Sequence, residues 1–198
     1  MSALSELHKE ITRCQRCQLA KYRTQAVPGE GADNAEIMFI GEAPGRHEDL
    51  QGRPFVGPAG QYLNQLLTSV NLDRCKVYIT NIVKSRPPGN RDPSPAEISA
   101  CCSWLEHQIS LIHPKIIVTL GRYSMAMFFP NKTIGAIHGT AQKRDNIIYF
   151  AMYHPAAALH QQNLHQTIEE DMRKIPLLLT QVKNIKEIEE EPRQLNMF

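Results

Sequence analysis

The stretch "EIMFIGEAPGRHED", residues 36–49, changes character at its middle. After Glu36 it runs Ile37, Met38, Phe39 and Ile40, a short apolar segment that reads as a buried strand. Then come Gly41, Glu42, Ala43, Pro44 and Gly45, which have no period and read as a loop. In open α/β sheets, binding sites gather outside the carboxyl ends of strands. The fold therefore turns on whether the rest of the chain repeats this pattern.

It repeats three times. "VYITNIV" (77–83), "KIIVTL" (115–120) and "IIYFAM" (147–152) are further short apolar runs rich in β-branched and aromatic residues. Helical patterns separate them. "PAGQYLNQLLTSV" places Leu63, Leu66, Leu67 and Val70 on one face. "SPAEISACCSWLEHQISLI" opens with Ser94, Pro95 and Glu97, a capping box with proline at the first helical position. Its apolar stripe is Ile98, Cys101, Leu105, Ile109 and Ile112. A third helix is expected after Gly121 and a fourth over 164–180, with Pro176 ending or kinking it. Strand–helix alternation predicts a parallel sheet with helices on both faces, an α/β fold.

A length of 198 residues suits one domain, expected over 1–182, followed by a charged flexible tail over 183–198. Hydrophobic content of 42% and charged content of 21% are those of a soluble globular protein. No apolar run has the length of a membrane span, and "MSALSELHKE" lacks the pattern of a signal peptide. A cytoplasmic monomer is expected, and an odd number of cysteines, five, fits a reducing compartment better than a disulfide framework. The net charge of +2 neither demands nor excludes nucleic acid. Yet "KSRPPGNR" (84–91) concentrates Lys84, Arg86 and Arg91 without an acid, a candidate phosphate-contacting loop.

The strand ends look like the rim of one pocket: "GEAPGRHED", Asn81 with "KSRPPGNR", "GR" (121–122), and "YHPA" with His154. Familiar motifs do not fit it. "GEAPGR" lacks the Gly-Lys-Ser/Thr end of a P-loop, and "GEGADN" (29–34) lacks a third glycine and precedes a strand. No nucleophile elbow and no zinc-ligand spacing of histidines is present. What remains is Glu42, Phe55, Asn81 and His154: a carboxylate, an aromatic face, an amide and an imidazole. That set suits a flat heterocycle with ring N–H and carbonyl groups. The ring stacks on phenyl, one amide reads an N–H and a carbonyl together, and imidazole donates to a second carbonyl where negative charge develops. Uracil is such a ring.

The runs "GEAPGRHEDLQGRPFVGPAGQYL", "YITNIVKSRPPGNRDP" and "YHPA", in that order, closely resemble family 4 of the uracil-DNA glycosylase superfamily. The likeness spans roughly residues 10–180. It implies a three-layer α/β/α sandwich around a four-stranded parallel sheet, and hydrolysis of the bond between uracil and deoxyribose to leave an abasic site. By the same resemblance Glu42 matches the acidic position of the first motif, whose backbone, Gly41 to Ala43, lines the uracil pocket. Phe55 matches the stacking aromatic, Asn81 the selecting amide, and His154 the donor to uracil O2. Glu48 matches a second acidic position. Family 1 relatives carry a water-activating aspartate where this chain has Ala43, so Glu42 is the first candidate for that role. Leu159 is expected to wedge into the duplex where the base leaves. The rival reading is a uracil-DNA-binding damage sensor that flips or traps the base without turnover. The short, histidine-free "KSRPPGNRDP" loop argues against trapping.

The resemblance also implies a 4Fe–4S cluster held by four cysteines. Cys14 and Cys17 of "ITRCQRCQLA" (11–20) match the first two, and Cys101 or its neighbour Cys102 the fourth. The third position is Ser85. A serine oxygen ligand, a labile or incomplete cluster, and an empty or zinc-loaded site are the alternatives. The expectation is a cluster, because three soft thiolates remain. Cys75 lies apart from this set. Finally, Gln194, Leu195, Met197 and Phe198 in "RQLNMF" resemble the bacterial sliding-clamp-binding pentapeptide.

Overall fold

The computed structural model describes residues 2–190. In chain order the elements are α1 (Ala3–Arg13), β1 (Glu30–Gly31), β2 (Ile37–Gly41), α2 (Arg46–Gln51), α3 (Pro58–Ser69) and β3 (Tyr78–Asn81). There follow α4 (Pro95–Ile112), β4 (Ile116–Leu120), α5 (Arg122–Phe128), α6 (Ile134–Ile137), β5 (Ala141–Arg144), β6 (Ile147–Met152), α7 (Pro155–His160) and α8 (Leu164–Glu190). The sheet order is β1-β3-β2-β4-β6-β5. Its four central strands are parallel, as expected. Two short antiparallel strands, β1 and β5, close the edges. The sequence does not predict them, because "EG" and "AQKR" carry no apolar alternation.

The central strands are buried on both faces, so their side chains divide by alternation. Ile37 and Phe39 join Leu63, Leu66, Met172 and Ile175 in the core under α3 and α8. Met38 and Ile40 join Leu7, Ile11, Trp104 and Leu105 in the core under α1 and α4. Three layers result. α4 begins as its sequence predicts, with Ser94 and Glu97 capping each other and Pro95 in the first turn. α8 passes through Pro176 and past residue 182 to Glu190. Its buried stripe of Ile168, Met172, Ile175 and Val182 spans the proline, and that packing outweighs the lost backbone bond. Among the described residues no helix is long and apolar enough to cross a membrane.

β2 has β3 on one side and β4 on the other, so the connections leave it in opposite directions. The crevice at the carboxyl end of such a switch point is where an α/β sheet presents its site.

Candidate active site

β2 and β3 end together, with Gly41 opposite Asn81. The pairing runs one step further, since the Ile82 and Val83 amides donate to the Gly41 and Glu42 carbonyls. This holds the loop after β2 against the loop after β3. Asn81 is 2% exposed, and its side-chain oxygen has no hydrogen-bond partner. Leaving a buried acceptor unpaired costs about 1–3 kcal/mol, so such an atom needs an explanation. Gly41 leaves the space in front of it. A Cβ there would stand 2.4 Å from Asn81 Oδ1 and 2.7 Å from the tip of Phe55.

Phe55 is buried in the left-handed region at φ 50°, which a bulky aromatic seldom adopts. Two features impose it. Glu48 Oε1 accepts the Val56 and Gly57 amides at 2.9 and 2.8 Å, while Oε2 accepts the Gly45 amide at 3.1 Å. One carboxylate thus ties the loop after β2 to the loop carrying the aromatic. Gly60 supplies the room, because a Cβ there would lie 1.9 Å from the Phe55 carbonyl oxygen. The sequence marked Glu48 as an acidic position without a clear task, and this clamp is what it does.

The His154 ring lies against Phe55, with centroids 5.5 Å apart and planes 27° off parallel. His154 caps α7, and its Nδ1 accepts the Ala156 amide at 3.1 Å. Burial pushes its pKa down to about 4, against a smaller opposite pull from Glu48. The imidazole is therefore neutral near pH 7. With Nδ1 occupied as an acceptor, its proton is assigned to Nε2, which becomes a fixed donor.

Glu42 is pushed up to about 7, first by burial and then by the Asp92 carboxylate, with Arg122 opposing. Asp92 and Arg122 pair at 2.6 Å. A carboxylate poised near neutrality is matched to accept a proton in a reaction at that pH. The sequence placed Arg122 on the pocket rim but assigned it no partner. Asp92 carried no signal, since its place depends on the 84–94 loop meeting the start of α5.

The basic loop needs a correction. Lys84 was expected at phosphates, but it is 1% exposed and cannot reach them. Its ammonium is enclosed by Thr80 Oγ1, the Asn81 carbonyl and Gln108 Oε1, each at 2.7 Å. Burial lowers its pKa to about 7, opposed by Cys101. Arg91 is held by Glu97 through two hydrogen bonds of 2.9 and 2.7 Å, a bidentate pair on the first turn of α4. Arg86 is partly exposed and donates to Asn90. Leu159 on α7 is 47% exposed, unlike an ordinary core leucine.

Cys14, Cys17 and Cys101 lie near one another. Cys101 is buried in the same core cluster that Cys14 and Cys17 flank. Burial pushes its thiol up, and the nearby Cys17 and Cys14 add to this, while Lys84 opposes. Cys102 instead points its sulfur at Glu106, 3.4 Å away, so the helix register favours Cys101. Cys75 is exposed and remote from this group in sequence. Ser85 is buried, and its hydroxyl accepts from Arg23 at 2.9 Å. The same guanidinium reaches the Thr12 and Cys14 carbonyls at 2.9 and 2.8 Å. Trp104 Nε1 lies 3.3 Å from Cys14 Sγ. Among the described residues, no three His, Cys, Asp or Glu side chains stand at the spacing of a single metal ion.

Residues 28–175 match the model of the uracil DNA glycosylase superfamily. A type-4 uracil-DNA glycosylase of Sulfurisphaera tokodaii is 49% identical over 88% of this chain and 84% of its own length. Proteins of the same description from Saccharolobus solfataricus and Archaeoglobus fulgidus are 46% and 42% identical, each over 88% of this chain and over 86% and 92% of their own.

Proposed function

Because the chain belongs to the uracil DNA glycosylase superfamily, and within it to the type-4 enzymes, we propose that it excises uracil from DNA. The observation that carries this reading is the buried, unpartnered oxygen of Asn81. It accepts uracil N3–H, while the amide nitrogen donates to O4. Cytosine has no proton at N3 and carries an amino group at C4, so both contacts turn repulsive. Such mispairing at a site built for hydrogen bonds discriminates strongly.

The base must leave the stack to reach this slot. Phe55 stacks on it, and His154 Nε2–H donates to O2. When the N1–C1′ bond breaks, its electron pair stays with the ring and spreads over N1 and O2. A neutral donor held at O2 stabilises that charge more than it does the ground state. Glu42 in its ionised form takes a proton from the water whose oxygen bonds to C1′. The uracil anion takes up a proton from solvent, and an abasic site remains.

The donor set at the cysteine corner suits an iron–sulfur group on three thiolates, Cys14, Cys17 and Cys101, with Ser85 in the fourth place. Cys14 and Cys17 flank the core cluster that holds Cys101, and three soft sulfurs are the donor type that suits such a cluster. When bound, a 4Fe–4S cluster would supply a cross-link between the N-terminal segment, the 84–86 segment and α4. Arg86 and Leu159 are assigned to the DNA, as a phosphate contact and as the wedge that fills the gap left by the flipped base. Residues 1–182 form the glycosylase domain of a cytoplasmic monomer. Gln194, Leu195, Met197 and Phe198, which lie outside the described residues, form a docking peptide for a sliding clamp. Deleting 194–198 should abolish clamp binding and leave excision from a short oligonucleotide intact.

Release of free uracil from single- and double-stranded oligonucleotides tests the main reading, with Asn81→Ala and His154→Ala as controls. Wild type should release uracil, and His154→Ala should be slower by roughly 10²–10³-fold. Tight binding of uracil-DNA with no released base would instead identify a damage sensor.

A further inference from the structure

Lys84 is a buried cation that the proposed chemistry does not use. Its three acceptors can be followed outward. The Thr80 hydroxyl donates to the Pro28 carbonyl at 2.8 Å, so toward Lys84 it offers a lone pair. The Gln108 amide nitrogen donates to the same carbonyl and to the Tyr78 hydroxyl, both at 2.8 Å, so its oxygen also faces Lys84 as an acceptor. The third acceptor is the peptide carbonyl of Asn81. Three acceptors match the three protons of an ammonium. Tyr78 continues the chain of contacts to His8 Nε2 at 2.7 Å. The Lys84 carbonyl meanwhile accepts the Val27 amide at 2.8 Å. One lysine thus joins the end of β3 to α4, and through Tyr78 to α1.

We propose that Lys84 is a positioning residue for base recognition. By holding the carbonyl of Asn81 from behind the sheet, it fixes the backbone from which the Asn81 amide reaches into the slot. The amide is held by its own main chain, because its oxygen has no protein partner to orient it. A side chain whose orientation must come from its backbone is sensitive to small rotations there, and a misplacement of about 1 Å can cost on the order of 10²-fold in rate. The lysine acts through Asn81 and touches neither base nor phosphate.

This inference rests on the uracil-excision reading, and the test separates the two. The full-length chain is compared with Lys84→Met, Thr80→Val and Gln108→Leu. The readouts are single-turnover excision, inhibition by free uracil, and affinity for uracil-DNA at two salt concentrations. Lys84→Met should lower the excision rate and weaken uracil inhibition together, each by roughly 10- to 100-fold. Its DNA affinity and the salt dependence of that affinity should match wild type. If Lys84→Met does not fold, Thr80→Val and Gln108→Leu decide, each expected to weaken uracil inhibition several-fold. The proposal is overturned if excision and uracil inhibition are unchanged in the folded variants, even with a lower melting temperature. It is also overturned if Lys84→Met loses salt-dependent DNA affinity while uracil inhibition persists. A wild-type chain that excises no uracil defeats the functional reading instead.

Discussion

Two polar clusters flank the segment from Asn81 to Arg86, and they are finished to different degrees. At the mouth of the sheet, the Asn81 oxygen is buried and left without a partner. At the cysteine corner, the Ser85 hydroxyl already holds Arg23, and Cys14 meets both Arg23 and Trp104. The first arrangement gives up stability in the free protein, which a bound ligand would restore on the proposed reading. The second is stitched by the protein's own groups, with Arg23 spanning the two segments that a fourth thiolate would have joined. A site kept open and a corner already closed should respond oppositely to substitution.

The largest effects belong to the open site. Glu42→Gln should slow excision by roughly 10²–10⁴-fold, the usual range for losing a general base. The pH dependence follows from its pKa of about 7. The ionised form accepts the proton, so the single-turnover rate should fall about tenfold per unit below that pKa and level off above it. Glu42→Gln should erase this limb. A limb that survives in the variant would assign the proton acceptor elsewhere. Gly41→Ala comes next. Its methyl would occupy the space before Asn81 and Phe55, so uracil inhibition should be lost while DNA affinity is retained.

Smaller effects belong to the corner. Arg23→Ala should lower the melting temperature by several degrees, corresponding to about 1–3 kcal/mol for a stranded buried hydroxyl and carbonyl, and leave the excision rate within about twofold. Ser85→Cys should raise iron content per chain and resistance to chelators with little change in excision, checked by iron analysis and visible absorption. An Arg23→Ala chain as slow as Glu42→Gln would erase the distinction between the two regions.

Much of the open site was legible because three of its residues stand at or just past the end of a strand with a clear apolar run. Gly41 closes β2, Asn81 closes β3 and His154 lies just past β6, and topology alone brings them to one edge. Lys84 was misread for a physical reason. Beside Arg86 and Arg91 it looks like part of a basic loop, and only the packing of α4 over β3 shows that Gln108 and Thr80 enclose it. Asp92 and Arg23 were invisible for a similar reason, since each acts on a residue brought near by the fold. The edge strands β1 and β5 left no pattern, and the packed stripe of α8 carries the helix past Pro176.

The claim that the Asn81 oxygen is reserved for a ligand can be tested directly by measuring thermal stability and uracil binding together in Asn81→Leu. Removing a buried acceptor that has no partner should leave the melting temperature at or above the wild-type value, while binding of free uracil is lost. A lowered melting temperature with uracil binding intact would contradict the account.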